Sequence, residues 1–287
     1  INDKKSWVTA EWRKIMKRMI ILLFLTTTML FSADLSSIKS QGIIKIGVRE
    51  NFPPFSVKND DEFEGFEVLL AKEIGKKILK KDDGVILVGV DAKDRIPMLK
   101  DGSVDLMIAM FAITEEREKE VDFSLPYLLS YMAILAPKDS NLTKFSDFRD
   151  KRLLVIPGTT SIEYVNNNQK LFDKVEVVEC ENQNSCVDML NMQDANGYFH
   201  VMFSLAGIAA EDGRYEVTNK AVGDPSPTAA AVAKGNKGLL DAVNKAIIEL
   251  SKEGFFKRAY EETFKIYFKD SIKKENFLVD DIYNIFG

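Results

Sequence analysis

Arg117 is the residue whose type and position point most directly to binding chemistry. It follows Thr114 and two glutamates, one turn into a predicted helix, where its charge opposes the helix dipole unless an anion offsets it. A guanidinium group binds a carboxylate through two parallel hydrogen bonds, at about twice the strength of a neutral hydrogen bond. An ion pair with Glu116 or Asp122 explains Arg117 equally well, so the residues alone leave both roles open.

A second candidate is the loop 158–161, which reads Gly-Thr-Thr-Ser between a predicted strand and a predicted helix. Backbone amides at the start of a helix can bind an anionic group. The loop lacks the spacing and the lysine of a phosphate-binding loop. Helix capping by Thr159 and Thr160 explains the same residues equally well.

An aromatic residue, Phe52, precedes the pair Pro53 and Pro54. Two prolines stiffen the backbone and could hold Phe52 outside the core as an aromatic platform for a ligand. The alternative is that Phe52 and Phe55 are both core residues.

Composition excludes several classes of function. The chain of 287 residues carries 39 Lys and Arg against 44 Asp and Glu, a net charge of −5 that would repel nucleic acid. Two cysteines and one histidine, His200, are too few for a structural zinc cluster, and no motif places a nucleophile beside His200. We therefore expect no metal, no cofactor, no catalytic residues and no nucleic-acid partner, and we expect His200 to be a packed histidine.

The first 33 residues have the pattern of an export signal. Lys17 and Arg18 precede an apolar run at 19–31, and Ala33 offers a small residue for cleavage. The run is 13 residues long, whereas a membrane span needs about 20 apolar residues. We expect residues 1–33 to be an upstream segment and a cleaved signal peptide, and the protein to be periplasmic. In an oxidising compartment Cys180 and Cys186 could form a disulfide or remain buried thiols.

Strand and helix patterns alternate along the rest of the chain, which predicts a mostly parallel sheet covered by helices. One βα series extends over 44–109 and a second over 153–203. Extended segments at 131–137 and 224–234 connect the two series, and helices at 239–250 and 255–260 return to the first. Ligands of such sheets bind beyond the carboxyl ends of the strands, where the loops described above lie.

In their order and spacing, these segments resemble the extracellular solute-binding proteins, family 3, that serve ABC importers of polar amino acids. The match extends from about residue 42 to 268, and the chain from 130 onward is most similar to the cysteine-binding branch. The segments that carry it are 44–48, 51–55, 65–68, 95–99, 102–105, 113–117, 121–127, 147–148 and 158–161.

The resemblance implies a type II periplasmic-binding-protein fold, in which two α/β lobes joined by a two-strand hinge close on a ligand. Lobe 1 would comprise 34–133 and 229–287, and lobe 2 would comprise 134–228. Arg117 would bind the α-carboxylate of the ligand, Phe52 would cover it, Thr160 would donate a backbone amide, and Arg49 would contact the ligand side chain. Other positions of the implied ligand-binding set are Met110, Ala112, Thr159 and Val201.

Two departures from the family pattern bear on the ligand. Met110 and Ala112 stand where small and hydroxyl residues are usual, and Val201 aligns with the aspartate that pairs with the ligand ammonium. A buried ammonium without a partner is costly. Glu163 or Glu67 could replace that aspartate, or the ligand lacks an ammonium, and Arg49 favours a carboxylate-bearing ligand over a cationic one.

The resemblance thus implies a monomeric periplasmic receptor, not an enzyme, that delivers a small amino acid or related carboxylate to an ABC permease in the inner membrane. The alternative is a dehydratase-like enzyme on the same scaffold. That alternative requires Glu163 or Glu67 to point at the ligand with a raised pKa.

Overall fold

The computed structural model describes residues 34–268. The predicted signal segment, and residues 269–287 of the expected first lobe, lie outside the described residues. The helices in this part of the chain are Leu35–Gln41, Phe66–Leu79, Arg95–Lys100, Glu115–Glu118, Thr160–Asn167, Gln183–Asn191, Met202–Glu211, Lys237–Lys252, Phe255–Glu262 and Phe264–Phe268, with short 3-10 turns at Ala92–Asp94, Lys138–Ser140 and Phe145–Phe148.

Within residues 34–268 the strands form one large sheet and one small one. The large sheet has the order β5-β1-β6-β11-β7-β10-β8-β9, and the small sheet has the order β2-β3-β4. The strands are β1 (Ile44–Arg49), β2 (Asn51–Phe52), β3 (Ser56–Asn59), β4 (Glu62–Glu64), β5 (Val85–Val90), β6 (Leu106–Met107), β7 (Val121–Pro137), β8 (Arg152–Val155), β9 (Glu176–Glu179), β10 (Gly197–Val201) and β11 (Tyr215–Ala233).

The large sheet contains two parallel groups separated by two long antiparallel strands. In the first strand group, β1 pairs in parallel with β5 and β6. In the second strand group, β8 pairs in parallel with β9 and β10. Strands β7 and β11 pair with each other along most of their length and connect the groups. The two predicted βα series and the two crossings between them are thus present.

The structure differs from the sequence-based expectation at strand ends. The extended crossings are longer than predicted, because β7 begins at Val121 and β11 begins at Tyr215. At the end of the second βα series, the apolar run from Tyr198 to Phe203 is a strand only up to Val201, and a helix begins at Met202. The three short strands β2, β3 and β4 were not predicted, since only a few of their residues are buried and no apolar alternation marks them.

Hydrogen bonds fix the loop that carries Phe52 to the start of the helix Phe66–Leu79. The amides of Phe66 and Glu67 donate to the carbonyl oxygens of Pro54 and Phe55, at 3.0 and 2.8 Å. Gly65, with φ of +125°, allows this approach, since a Cβ there would lie 2.5 Å from the oxygen of Phe55. The loop that carries Phe52 is therefore held in place beside the first strand group.

Buried side chains extend across both strand groups. The largest cluster includes Ile46 in β1, Ile134 in β7 and Phe199 in β10. A second cluster surrounds Cys180 and Cys186 on the outer side of the second strand group. Among residues 34–268, no helix combines the length and the apolar character that crossing a membrane requires.

Candidate functional site

Loops at the ends of strands from both groups meet around one small cavity. Six of the eight residues in the predicted ligand-binding set line it, together with two that were not in that set. The six are Arg49, Phe52, Met110, Thr159, Thr160 and Val201, and the other two are Arg95 and His200.

This cavity is narrow. The centre of a water-sized sphere can move within it over only about 20 Å³, which is enough for about one water molecule. A ligand of the size of an amino acid therefore fits only if the walls move apart. Those walls belong to different strand groups, since Arg49 ends β1 and Val201 ends β10.

The guanidinium of Arg49 is buried, with 8% of the residue exposed, and within residues 34–268 its Nε atom has no hydrogen-bond partner. Its central carbon lies 5.7 Å from the centre of the Phe52 ring, a cation–π contact. Burial lowers the pKa of Arg49, and the nearby acidic groups oppose this effect. Arginine nevertheless stays charged in proteins, so Arg49 brings a positive charge to the cavity wall.

Arg95 is the cavity residue that the sequence analysis missed, although its segment was part of the family resemblance. It is 3% exposed and donates to the carbonyl oxygens of Ala92, Ala109, Met110 and Gly158, at 2.7 to 3.1 Å. The guanidinium also lies over the ring of Phe111, 4.5 Å from its centre. Its only signal in the sequence is a cation in the first turn of a short helix, where the helix dipole disfavours it.

His200 is packed, as predicted, but it also lines the cavity. Its ring lies edge-on to Phe52 at 5.8 Å and beside Tyr198 at 5.4 Å. Burial and the nearby charges of Arg49 and Arg95 lower its pKa to about 3. His200 is therefore neutral at physiological pH, and its Nδ1 atom has no hydrogen-bond partner in the described part of the chain.

Arg117, the residue predicted to bind the ligand carboxylate, does not line this cavity. Its guanidinium instead forms an ion pair and hydrogen bonds with other residues of the chain. It is 4% exposed and forms an ion pair with Glu163, with Nη2 2.6 Å from Oε1. It also donates to the carbonyl oxygens of Ala112 at 2.9 Å and Gly158 at 3.3 Å. The carbonyl oxygen of Gly158 accepts hydrogen bonds from both Arg95 and Arg117. It thereby connects Arg117 to Arg95, which lines the cavity.

Ala112 also lies outside the lining of the cavity, and its carbonyl oxygen holds Arg117 in place. Thr114 accepts a hydrogen bond from the Arg117 amide and begins the short helix Glu115–Glu118. The loop 158–161 starts the helix Thr160–Asn167 as predicted, and the Thr159 hydroxyl contacts the Ile156 carbonyl at 2.6 Å.

Glu67 is a fully buried carboxyl group behind the cavity, outside its lining. Its Oε1 accepts from the Met110 amide at 2.8 Å and from the Tyr127 hydroxyl, and its Oε2 has no hydrogen-bond partner among the described residues. Burial raises its pKa to about 7, although these hydrogen bonds and the nearby charges of Arg49 and Arg95 oppose the effect. Glu67 therefore keeps its proton to a much higher pH than an ordinary glutamate.

Cys180 and Cys186 form a disulfide, with Cα atoms 5.3 Å apart. The bridge joins the end of β9 to the helix Gln183–Asn191. It lies in the second strand group, apart from the lining of the cavity, so its role is structural.

Two strand groups joined by long antiparallel strands, with loops of both groups around a cavity that contains arginine, define a bacterial solute-binding protein. The chain belongs to family 3 of the bacterial extracellular solute-binding proteins, whose family model matches residues 44–266.

Relatives and solved structures agree with this assignment. A glutamine-binding protein of an ABC transporter from Bacillus subtilis is 31% identical over 239 residues, which are 82% of this chain and 85% of the relative. The solute receptor for L-cysteine of Neisseria gonorrhoeae has a TM-score of 0.82 at 31% identity, covering 86% of this chain and 100% of that one. The cysteine-binding protein of Campylobacter jejuni has a TM-score of 0.81 at 30% identity, covering 86% and 99%.

These comparisons confirm the predicted family, the resemblance to cysteine-binding members and the type II fold. The Bacillus subtilis relative is a binding protein of an ABC transporter, and the family is one of extracellular solute-binding proteins.

Proposed function

We propose that this protein is the substrate-binding protein of an ABC importer and binds a small polar amino acid or a related carboxylate by lobe closure. The observation that carries the proposal is the buried cavity, to which both strand groups contribute an end of a strand and which has Arg49 and Arg95 in its wall. The relatives named above bind glutamine or cysteine according to their names, which supports an amino-acid-like ligand.

In this proposal lobe 1 consists of residues 34–133 and 229–287, lobe 2 consists of residues 134–228, and β7 and β11 form the hinge. The narrowness of the cavity supports a hinge, because a ligand enters only when the lobes separate. Closure around the ligand then shifts the protein between two global states.

Each residue of the site has a defined role in the bound state. Arg117 binds the ligand carboxylate after releasing Glu163, and Phe52 covers the body of the ligand. Thr160 donates its backbone amide at the start of its helix. Arg49 faces the ligand side chain, while Met110, Ala112, Thr159 and Val201 complete the wall.

The protein acts outside the cytoplasm. Residues 1–33 comprise an upstream segment and a cleaved signal peptide, and an ABC permease in the inner membrane receives the ligand. We also propose that the protein acts as a monomer.

Binding, not catalysis, is the proposed activity. An enzyme on this scaffold would need a carboxylic acid that touches the ligand. Glu67 has the raised pKa, but it lies outside the cavity lining and is held by Met110 and Tyr127. Glu163 also lies outside the cavity lining.

The test is a thermal-shift screen of the purified protein with the twenty amino acids and small mono- and dicarboxylates, followed by small-angle X-ray scattering. We expect at least one compound to raise the melting temperature and to reduce the radius of gyration. Stabilisation without a change in scattering would contradict lobe closure. A panel without any stabilising compound would contradict the proposed function.

A further inference from the structure

The charges in the wall of the cavity are all positive. Its lining contains two buried arginines, Arg49 and Arg95, and no carboxylate. Neither arginine forms an ion pair within residues 34–268. A cationic ligand group in this cavity would therefore meet like charges and no acceptor of opposite sign.

The two arginines differ in how completely they are hydrogen bonded. Arg95 donates to four carbonyl oxygens, so the surrounding backbone holds its guanidinium in place. Arg49 has a buried Nε atom without a partner, and within the described residues no hydrogen bond from its side chain is formed. An unpaired buried donor on a charged group is costly, and an anionic partner would remove that cost.

The nearest acidic groups of the chain do not supply this partner. Glu67 is close enough to influence Arg49, but it accepts from Met110 and Tyr127 instead. Asp91 also influences Arg49, but it is exposed, so solvent screens its charge.

The other residues that line the cavity are also compatible with an anionic group of the ligand. His200 is neutral and offers an unpaired Nδ1 atom. Thr159 and Thr160 stand at the start of an eight-residue helix, whose dipole favours negative charge. Val201 contributes only an apolar side chain, which gives an ammonium nothing to bind.

We propose that the site selects ligands with a second anionic group, such as a side-chain carboxylate or sulfinate, and that Arg49 binds this group. The inference rests on the proposed function, in which Arg117 binds the first carboxylate. Arg95 acts as a positioning residue that adds positive charge to the same wall.

Matched pairs of ligands test this selectivity, because their members differ little in shape and mainly in charge. Isothermal titration calorimetry of the full chain would compare L-glutamate with L-glutamine, and L-aspartate with L-asparagine. We expect the acidic member of the better-binding pair to have a Kd at least tenfold lower than its amide.

A neutral or cationic amino acid that binds more tightly than both acids would overturn this inference and leave the proposed function standing. Absence of binding across the whole panel of the thermal-shift screen would overturn both.

Variants of Arg49 test its role in this preference. Arg49→Met removes the charge at similar length, so we expect the tenfold preference for the acid to fall to about equal binding. Arg49→Lys keeps the charge and should retain a preference of several-fold. Lys119→Met removes an exposed positive charge in proposed lobe 1, which also contains Arg49. It should leave the ratio of the two Kd values unchanged. An unchanged ratio in folded Arg49→Met, verified by circular dichroism, would overturn the inference.

Discussion

Arg117 in the short helix Glu115–Glu118 forms an ion pair with Glu163 in the helix Thr160–Asn167, which follows β8, with Nη2 2.6 Å from Oε1. Arg117 is almost fully buried, whereas 27% of the Glu163 side chain is exposed. The guanidinium assigned to the ligand carboxylate is thus bound to a carboxylate of the same chain. A ligand that uses Arg117 must compete with Glu163.

We expect Glu163→Gln to strengthen ligand binding. The substitution removes the competing charge, and a partly exposed ion pair contributes about 1 kcal/mol, or about fivefold in Kd. Calorimetric titration with the ligand found in the thermal-shift screen measures the change. Glu116→Gln, at an exposed glutamate near Arg117, is the matched control. Weaker binding by Glu163→Gln would instead mean that Glu163 contacts the ligand.

Gly158 is the point where the loop before the helix Thr160–Asn167 approaches Lys93. Its φ is +72°, and a Cβ would lie 3.0 Å from the Lys93 Cα. Gly158→Ala should therefore strain the turn by about 1 kcal/mol and hold the lobes apart. We expect a Kd about fivefold higher, which corresponds to this cost.

The control for this prediction is Gly213→Ala, because a Cβ at Gly213 meets no atom within 4 Å. Equal affinities of the two variants would show that the close approach at Gly158 has no part in binding.

The buried carboxyl group of Glu67 should make the free energy of unfolding depend on pH in a direction that follows from its pKa. Its pKa is about 7 in the folded protein and 4.5 ordinarily, so the folded state keeps this proton between those values. Its contribution to stability therefore falls as the pH rises from 4.5 to 7. Glu67→Gln keeps an oxygen acceptor for Met110 and Tyr127 but cannot ionise.

We expect the unfolding free energy of Glu67→Gln, relative to wild type, to rise by ~3 kcal/mol from pH 4.5 to pH 8. Urea denaturation across this range measures it. His200 has the opposite effect, because its lowered pKa makes stability fall as the pH drops from 6.5 towards 3. His200 is present in both proteins, so its effect cancels in the difference. A difference that is independent of pH would contradict the account of Glu67.

The disulfide Cys180–Cys186 closes a loop with a sequence separation of six. Loop-closure entropy for such a short loop is ~2 kcal/mol. Replacing both cysteines with alanine should lower the unfolding free energy by about this amount and leave the affinity for the ligand unchanged. A large loss of affinity with retained stability would contradict a purely structural role.

Much of the fold could be predicted because the spacing of apolar residues along the chain indicates the individual strands and helices. The alternating apolar residues at 44–48 are typical of a strand and form β1, and the apolar residues at every fourth position from Phe66 to Ile78 are typical of a helix and form the first long helix. The ends of β10 could not be predicted, since the apolar run continues through Phe203 while the backbone turns to helix at Met202.

The site was predicted in part for the same reason. Arg49 ends β1, Phe52 comes three residues after that end, and Thr160 comes five residues after the end of β8, so the position of their loops was predictable. Phe52 is both a core residue and a wall of the cavity, and the two alternatives for it therefore do not exclude each other. The bonds of Arg95 reach as far as Gly158, 63 positions away, and the sequence contains no local signal for such contacts.

The central claim is that a buried guanidinium binds the carboxylate of a small ligand. Calorimetric titration of wild type and Arg117→Ala with the ligand from the thermal-shift screen tests it most directly. Arg214→Ala serves as a control at an exposed arginine. Truncating one partner of a buried charge pair costs roughly 3 kcal/mol, so Arg117→Ala should bind about a hundredfold more weakly. Wild-type affinity in a folded Arg117→Ala would contradict the account.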